Sequence, residues 1–131
     1  MEEALIARLL ADDGVAVLAG TRVFPGARPQ ASALPAIVLN RISGGPDYAD
    51  DGETGLEQAR IQIDCWASTY SGAKLLARAV TASLSAFEGT VGNTTFQFIE
   101  LDIERDLREG GSNADAYPFR TALDFLVWAE R

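Results

Sequence analysis

Residues 60–87 read RIQIDCWASTYSGAKLLARAVTASLSAF, a predicted strand that runs almost directly into a predicted helix. Over residues 60–67, apolar and polar side chains alternate, which is typical of a strand with one buried face. Over residues 68–87, apolar side chains recur at three- and four-residue steps and form one stripe along a helix. The stripe is centred on Leu76, Val80, Leu84 and Phe87. This unit predicts a sheet with an amphipathic helix packed across it.

The rest of the chain adds elements on either side of this unit. Residues 2–11 predict a short N-terminal helix, and the glycine-rich, acidic residues 43–56 predict a long irregular loop. Further strands are predicted at residues 35–42, 94–107 and 119–128. The third of the four strands changes phase, which indicates a bulge or bend near Phe98. The element order predicts an α+β fold, a two-layer sandwich with a mostly antiparallel sheet, a long helix across it and the short N-terminal helix.

Length and composition indicate one globular domain over residues 1–131, because 47% of the residues are apolar and can form one core. Cys65 is the single cysteine, so it cannot form an internal disulfide. Its inward position in the alternating strand predicts a small core residue. A reactive thiol is the alternative, but the chain has no histidine to activate it.

Charge and residue types exclude several functional classes. A net charge of −8 argues against duplex DNA or an anionic membrane as a tightly held partner. The absence of histidine removes the commonest general base and transition-metal ligand. No segment approaches the ~20 apolar residues of a membrane span, and the acidic start MEEALIARLLADD lacks the features of a secretory signal. We therefore predict no catalytic residue, cofactor site or metal site.

An acidic run is the most suggestive surface feature. Glu100, Asp102, Glu104 and Asp106 occupy every second position, so a regular strand would project all four from one face. Three interpretations stay open. The run forms a solvated outer face, the acidic wall of a channel in a ring-shaped oligomer, or a carboxylate cluster that binds metal.

Four aromatic residues are candidates for an interface. Tyr48 lies in the predicted loop, Tyr70 begins the long helix, and Trp66 and Trp128 lie opposite the main apolar sets of their strands. Either the N-terminal helix covers the two tryptophans within the subunit, or they contact a neighbouring subunit, because tryptophan is enriched at interfaces.

The acidic residues of the predicted loop are further candidates. Asp50 and Asp51 lie in SGGPDYADDGETGL, which lacks the ligand spacing of an EF-hand. The segment is either a mobile solvated loop or a loop that becomes ordered on contact with a neighbouring subunit.

Three segments together resemble the bacteriophage tail completion family, the small tail-terminator or head–tail joining proteins. The first is a short N-terminal helix followed by GTRVFPGARPQASALPAIVLNRISGGPDYADDG at residues 20–52. The others are RIQIDCWASTYSGAKLLARAV at residues 60–80 and YPFRTALDFLVWAE at residues 117–130. The resemblance spans nearly the whole chain and includes related proteins of prophages and gene transfer agents.

The resemblance implies a structural virion protein without catalytic residues. Such a subunit is expected to assemble in the bacterial cytoplasm into a ring, six-fold by expectation, at the head-proximal end of the tail. The ring ends the tail tube, contacts the tail tube protein and the head–tail connector or stopper protein, and lets DNA pass without specific binding. Segments 24–34 and 43–56 match the family's inter-subunit and tube-contacting loops, which adds Phe24 to the interface candidates.

Simple geometry agrees with a six-fold ring. A globule of this length has a radius of gyration of roughly 14 Å, so six touching copies leave a hole on the order of 28 Å, wide enough for duplex DNA.

Two other functions remain open. One is a metal-assisted hydrolase that uses Asp102, Glu104 and Asp106, and the other is a monomeric or dimeric module that binds a small ligand or a protein.

Overall fold

The computed structural model describes residues 1–29, 33–108 and 118–130, and they form an α+β fold with three helices and a six-stranded curled sheet. The helices are α1 (Glu2–Ala11), α2 (Asp13–Ala19) and α3 (Tyr70–Leu84). The strands are β1 (Val23–Pro25), β2 (Ala36–Ala49), β3 (Gly52–Ala67), β4 (Gly89–Val91), β5 (Thr94–Arg108) and β6 (Phe119–Glu130). None of the helices in these residues is long and apolar enough to cross a membrane.

The sheet has the strand order β1-β2-β3-β6-β5-β4. Its neighbouring pairs are antiparallel except for β1 and β2, which are parallel, so the prediction of a mostly antiparallel sheet is confirmed.

Side-chain caps mark the first turns of helices α2 and α3. Asp12 accepts a hydrogen bond from the Val15 N–H at 3.1 Å, and Thr69 accepts one from the Gly72 N–H at 3.0 Å.

One core joins the helices to one face of the sheet. Leu76, Val80 and Leu84 of α3 belong to the same buried cluster as Ile63 of β3 and Phe125 of β6. The stripe predicted on α3 is therefore the packing surface of this helix. Cys65 is fully buried in the same cluster, as predicted, and burial raises the pKa of its thiol.

The prediction of an irregular loop over residues 43–56 is wrong, because most of this segment forms a β-hairpin. β2 continues to Ala49, β3 begins at Gly52, and Tyr48 pairs with Glu53 next to the turn. The pairing contains register shifts before Ser43 and before Tyr48, which hide the alternation of a regular strand. Position 44 requires glycine, because a Cβ atom there would lie 2.6 Å from the carbonyl oxygen of Gln58.

Strand β5 has two irregularities where the sequence indicated one. The register shift between Phe96 and Phe98 confirms the bulge expected near Phe98. A second shift lies between Leu101 and Ile103 and was not predicted. Each extra residue reverses which side chains face the core, because side chains alternate along a strand.

Candidate functional site

The sheet face opposite the core, here called the bare face, carries polar and aromatic side chains. Ile61, Ile63 and Cys65 of β3 point into the core, so the residues between them point the other way. These are Arg60, Gln62, Asp64 and Trp66, and their partners on β6 are Leu126, Asp124, Ala122 and Arg120. The alternation that builds the core thus also builds a second, chemically distinct surface.

An ion-pair network crosses the middle of the bare face. Arg60 contacts Asp102 at 2.7 Å and Asp124 at 3.3 Å, and Arg105 contacts Asp124 at 3.4 Å. The hydrogen bond to Asp102 raises the pKa of the Arg60 guanidinium. The network ties β3, β5 and β6 together and balances arginine charge with carboxylate charge on the same surface.

A cleft of about 400 Å³ lies at one end of the bare face, between the Gly26–Arg28 segment and the sheet. Trp66, Arg120 and Asp64 line it. The carboxylate of Asp64 accepts a hydrogen bond from Gln62 Nε2 at 2.9 Å and lies 3.6 Å from Arg120 Nη1. Burial nevertheless raises the pKa of Asp64, because desolvation outweighs these two contacts.

Two N–H donors of the cleft residues are buried without an acceptor in the part of the chain that the structure describes. They are Nε1 of Trp66 and Nε of Arg120. Leaving a buried donor unpaired costs about 1–3 kcal/mol, so such donors are rare in folded proteins. Both nitrogen atoms have almost no surface exposed to solvent, so they are unsatisfied within the fold and are not open to the cleft.

The four residues of the acidic run do not share a face, which corrects the expectation from their spacing. Glu100 pairs with Leu126, and Asp102 contacts Arg60, both on the bare face. After the second bulge, Glu104 and Asp106 lie on the core side of the sheet, opposite Leu123 and Thr121. The extra residue at the bulge reverses the alternation, so the run is divided into two pairs.

The second pair of acids contacts α3. Lys74 Nζ lies 2.7 Å from Glu104 and 3.1 Å from Asp106, and the Tyr70 hydroxyl donates to Asp106 at 3.0 Å. The hydrogen bond from Lys74 is the main cause that lowers the pKa of Asp106. Asp102 lies on the other face, so Asp102, Glu104 and Asp106 do not converge as the hydrolase alternative requires. Within the described residues, no group of three or more His, Cys, Asp or Glu side chains could hold a metal ion.

The N-terminal helix covers neither tryptophan, so the first of the two alternatives for these residues is wrong. Helix α1 packs on the core side, where Arg8 donates from Nε to the Ser83 carbonyl at 2.8 Å and lies over the Phe87 ring. Trp128 instead packs against Phe98 on the bare face, with 6.2 Å between the ring centroids. Contact of these tryptophans with another subunit stays a prediction.

The remaining interface candidates are spread over the molecule. Tyr48, Asp50 and Asp51 lie at the exposed end of the β2–β3 hairpin, here called the hairpin tip (residues 47–53), and Tyr48 is 66% exposed. Phe24 is half-buried in β1, where it pairs with Val38. Tyr70 packs edge-on against Phe119 at 6.3 Å. The structure thus brings Trp128 beside Phe98 but does not bring the seven candidates together.

Two strand edges are unpaired in the described residues. β1 pairs with only three residues of β2, and the last of these is Leu39, so the outer edge of β2 is free from residue 40 to residue 49. β4 likewise pairs with β5 only as far as Phe96. The Ile99 carbonyl accepts from the Ala86 N–H, and beyond it the edge of β5 is free from residue 100 to residue 108. The two free edges, each roughly 30 Å long, lie on opposite sides of the sheet.

Comparison with known proteins identifies the family of this chain. The profile of the family described as "Tail completion protein gp17" matches residues 3–130, almost the whole chain. The chain belongs to this tail completion family. A chain in the solved structure titled "Virion of native gene transfer agent (GTA) particle" shares 21% sequence identity. It aligns over 100% of this chain and 95% of its own length with a TM-score of 0.77, so the two chains share a fold. No curated protein matches.

Family membership confirms the resemblance inferred from the sequence. The tail completion protein is a tail component of a phage-type virion. Sequence reasoning missed the most unusual feature of this tail completion protein, the cleft with its unpaired donors. A signal was present: Asp64 lies next to Cys65, and Asp124 interrupts the apolar run ALDFLVW. Acids at such positions indicate a second polar surface on otherwise apolar strands.

Proposed function

We propose that the tail completion protein acts as one non-enzymatic domain over residues 1–131 and forms a closed ring, six-fold by expectation. The ring would end the tail tube at its head-proximal end, contact the tail tube protein and the head–tail connector or stopper, and assemble in the bacterial cytoplasm. The single observation that carries the proposal is the pair of free strand edges on opposite sides of the sheet in a member of this family.

Free edges favour assembly because exposed N–H and C=O groups invite pairing with another strand. Edges on opposite sides of one sheet allow the β5 edge of one copy to meet the β2 edge of the next. Such a head-to-tail contact uses two different surfaces, and it produces a ring when the rotation between copies closes. The helices would form one layer on the core face, and the joined sheets would form the other.

The bare face is the surface that we propose for the channel. It carries Glu100 and Asp102 of the acidic run, whereas Glu104 and Asp106 contact Lys74 on the other side. Its arginines pair with carboxylates of the same face. A surface with paired charges and no excess of cations would let a polyanion pass without releasing its counterions, and therefore without tight binding.

The experiment that tests the ring is the mass in solution, measured by light scattering across a concentration series. A closed six-fold ring gives six times 14.0 kDa. Ile42→Lys and Ile103→Lys each place a charge beside one free edge, and both residues are exposed. We expect each change to weaken assembly by about tenfold or more, because lysine on an edge opposes strand pairing.

The matched control is Val17→Lys, which changes a residue that is 83% exposed and lies on helix α2 rather than on an edge strand. It should assemble like the unchanged protein. A monomer at every concentration would contradict self-assembly into a ring. A ring that tolerates both edge variants would contradict edge pairing as its basis.

The cleft favours a second candidate function, a module that binds a small ligand or a protein as a monomer or dimer. Its polar groups converge on a space of about 400 Å³, which is within the range of ligand sites. A monomer or dimer in the mass measurement, together with saturable binding in the cleft, would favour this function over the ring.

A further inference from the structure

Two backbone hydrogen bonds show which residues of the free strand edges point outward. The Leu39 carbonyl of β2 accepts from the Gly26 N–H at 3.0 Å, on the side away from β3. The Ile99 carbonyl of β5 accepts from the Ala86 N–H at 2.7 Å, on the side away from β6. Leu39 and Ile99 both belong to the core. On both edges, therefore, core-face residues point their N–H and C=O groups outward, because face and hydrogen-bond direction both repeat every second residue.

The bulge in β2 leaves this series intact, because its partner strand β3 is regular. β3 pairs Ile61 with Arg41 and Ala59 with Gly44, and both β3 residues belong to the core. Arg41 and Gly44 are therefore the outward-pointing residues of the free edge of β2. Pro46 comes next in the series, but it has no N–H group, so strand pairing would end there.

The second bulge in β5 leaves the series intact for the same reason. The regular strand β6 pairs Leu123 with Glu104 and Thr121 with Asp106. Leu123 belongs to the core, and Thr121 is buried on the same face. Glu104 and Asp106 are therefore the outward-pointing residues of the free edge of β5.

The topology fixes the direction in which the two edges can meet in a ring. β2, β3, β6 and β5 are joined by three antiparallel pairings, so β2 and β5 run in opposite directions within one copy. Where a sheet continues around a ring, the rotation axis runs roughly along the strands and preserves their directions. β5 of one copy then meets β2 of the next in antiparallel orientation. Antiparallel partners share a face, and both sets of outward residues lie on the core face, so the joined sheets keep all helices on one side.

Space and charge select one register for this pairing. β1 occupies the edge of β2 as far as Leu39, so a register with Arg41 opposite Glu104 would run the last residues of β5 into β1. The next possible register places Arg41 opposite Arg108, and like charges directly opposite each other are destabilising. The register between these two places Arg41 opposite Asp106, an oppositely charged pair.

We propose that β5 of one copy pairs antiparallel with β2 of the next, with Asp106 opposite Arg41 and Glu104 opposite Gly44. Each of these two pairs would exchange two backbone hydrogen bonds. The side chains of Arg41 and Asp106 are 32% and 41% exposed, so each can contact an opposite charge across the edge. Gly44 has no side chain to displace Glu104 from Lys74. The pairing rests on the proposed ring and defines the contact that would build it.

The test is disulfide trapping in the full chain. The register places two pairs of bare-face residues opposite each other, Asn40 with Leu107 and Gly45 with Ile103. Such non-hydrogen-bonded partners lie about 4.5 Å apart between Cα atoms, within the span of a disulfide. Asn40→Cys/Leu107→Cys tests one end of the pairing and Gly45→Cys/Ile103→Cys the other. A Cβ at Gly45 meets no atom within 4 Å, and Ile103 is 43% exposed, so the second pair should fold even if the first does not.

Three variants serve as matched controls. Ser43→Cys/Leu107→Cys pairs directly only in the register with Arg41 opposite Arg108. Asn40→Cys/Glu100→Cys pairs only if the edges meet in parallel, because the proposed register separates these positions by roughly 20 Å. Leu107→Cys alone forms a disulfide only when two β5 edges meet about a two-fold axis. The unchanged protein gives the background, since its Cys65 is fully buried.

We expect both test pairs to give, after mild oxidation, a ladder of multiples of 14.0 kDa on non-reducing gels. The controls should crosslink at least about tenfold more slowly, because their Cα atoms lie beyond the usual span of a disulfide. Crosslinking of any control as fast as the test pairs would overturn the proposal. So would folded test variants, verified by circular dichroism, that form no ladder.

The mass in solution separates the strand pairing from the ring. A mass of six times 14.0 kDa without crosslinking of the test pairs would overturn the pairing and leave the ring. A ladder from the test pairs that extends beyond six copies, with no species of that mass, would support the pairing and contradict the closed ring.

Discussion

The two faces of the sheet use the same strands for opposite purposes. On the core face, residues such as Ile63, Leu123 and Phe125 have no exposed surface and pack under the helices. On the bare face, Arg60 and Asp124 form ion pairs beside a cleft with unpaired donors. Because side chains alternate along a strand, one set of residues forms the core and the other set forms a separate surface that is available for contacts.

The largest expected effect is on the core face. Phe125→Ala removes a fully buried ring and should lower the free energy of unfolding by about 3–5 kcal/mol. Phe98→Ala, on the bare face, removes a ring that is 43% exposed and should cost about 1 kcal/mol. Urea unfolding followed by circular dichroism measures both. Equal losses would show that the bare face supports the fold as much as the core does.

A smaller effect concerns Asp64, whose pKa is raised by burial. A raised native pKa means that the protonated acid is the form favoured by folding. Its contribution is fully present below the ordinary aspartate pKa of 3.8 and is lost as the pH rises through the raised native pKa. As the pH rises through that value, the unchanged protein should lose unfolding free energy and Asp64→Asn should not. The variant should therefore become more stable relative to the unchanged protein. Unfolding curves from acid to neutral pH measure the difference, and a constant difference would contradict the prediction.

Asp106 provides the opposite case on the other face. Its pKa is lowered mainly by Lys74, so its contribution is present above 3.8 and is lost as the pH falls through the lowered native pKa. Asp106→Asn should lose a few tenths of a kcal/mol at neutral pH, because the exposed pair is screened by solvent, and nothing in strong acid. The same unfolding series compares the two aspartates. If the stability changes of Asp64→Asn and Asp106→Asn varied with pH in the same direction, the opposite pKa shifts of the two aspartates would be contradicted.

The smallest effect on folding is expected at the hairpin tip. Deletion of residues 47–53 should leave the unfolding free energy within about 0.5 kcal/mol, because the pairing of β3 with β6 begins only at Leu56 and the tip buries no core residue. Assembly, measured by light scattering, should weaken because the tip is a proposed contact surface. Loss of the circular dichroism spectrum would show that the hairpin tip is needed for folding.

Much of the fold could be predicted from local patterns. Helix α1 and strand β6 lie at or close to their predicted residues, and β3 leads into α3 as the alternation and the apolar stripe indicate. The hairpin was not predicted, because residues such as Gly44 and Asp50 resemble loop residues and their backbone pairing leaves no apolar alternation. The candidate site was predicted only in part. Trp66 is among the interface residues predicted from the sequence, but Arg120 and Asp64 are not.

The sequence by itself determined the α+β class, the core-facing residues of β3 and α3, and the family, because apolar periodicity and short motifs are properties of the chain alone. The tertiary structure alone decided the division of the acidic run, the ion pairs between strands and the cleft beneath Gly26–Arg28. One bulge after Leu101 is enough to move Glu104 and Asp106 to the other face. Such a bulge, and the contact of residues as distant as Arg60 and Asp124, depend on strand register, which no local pattern records.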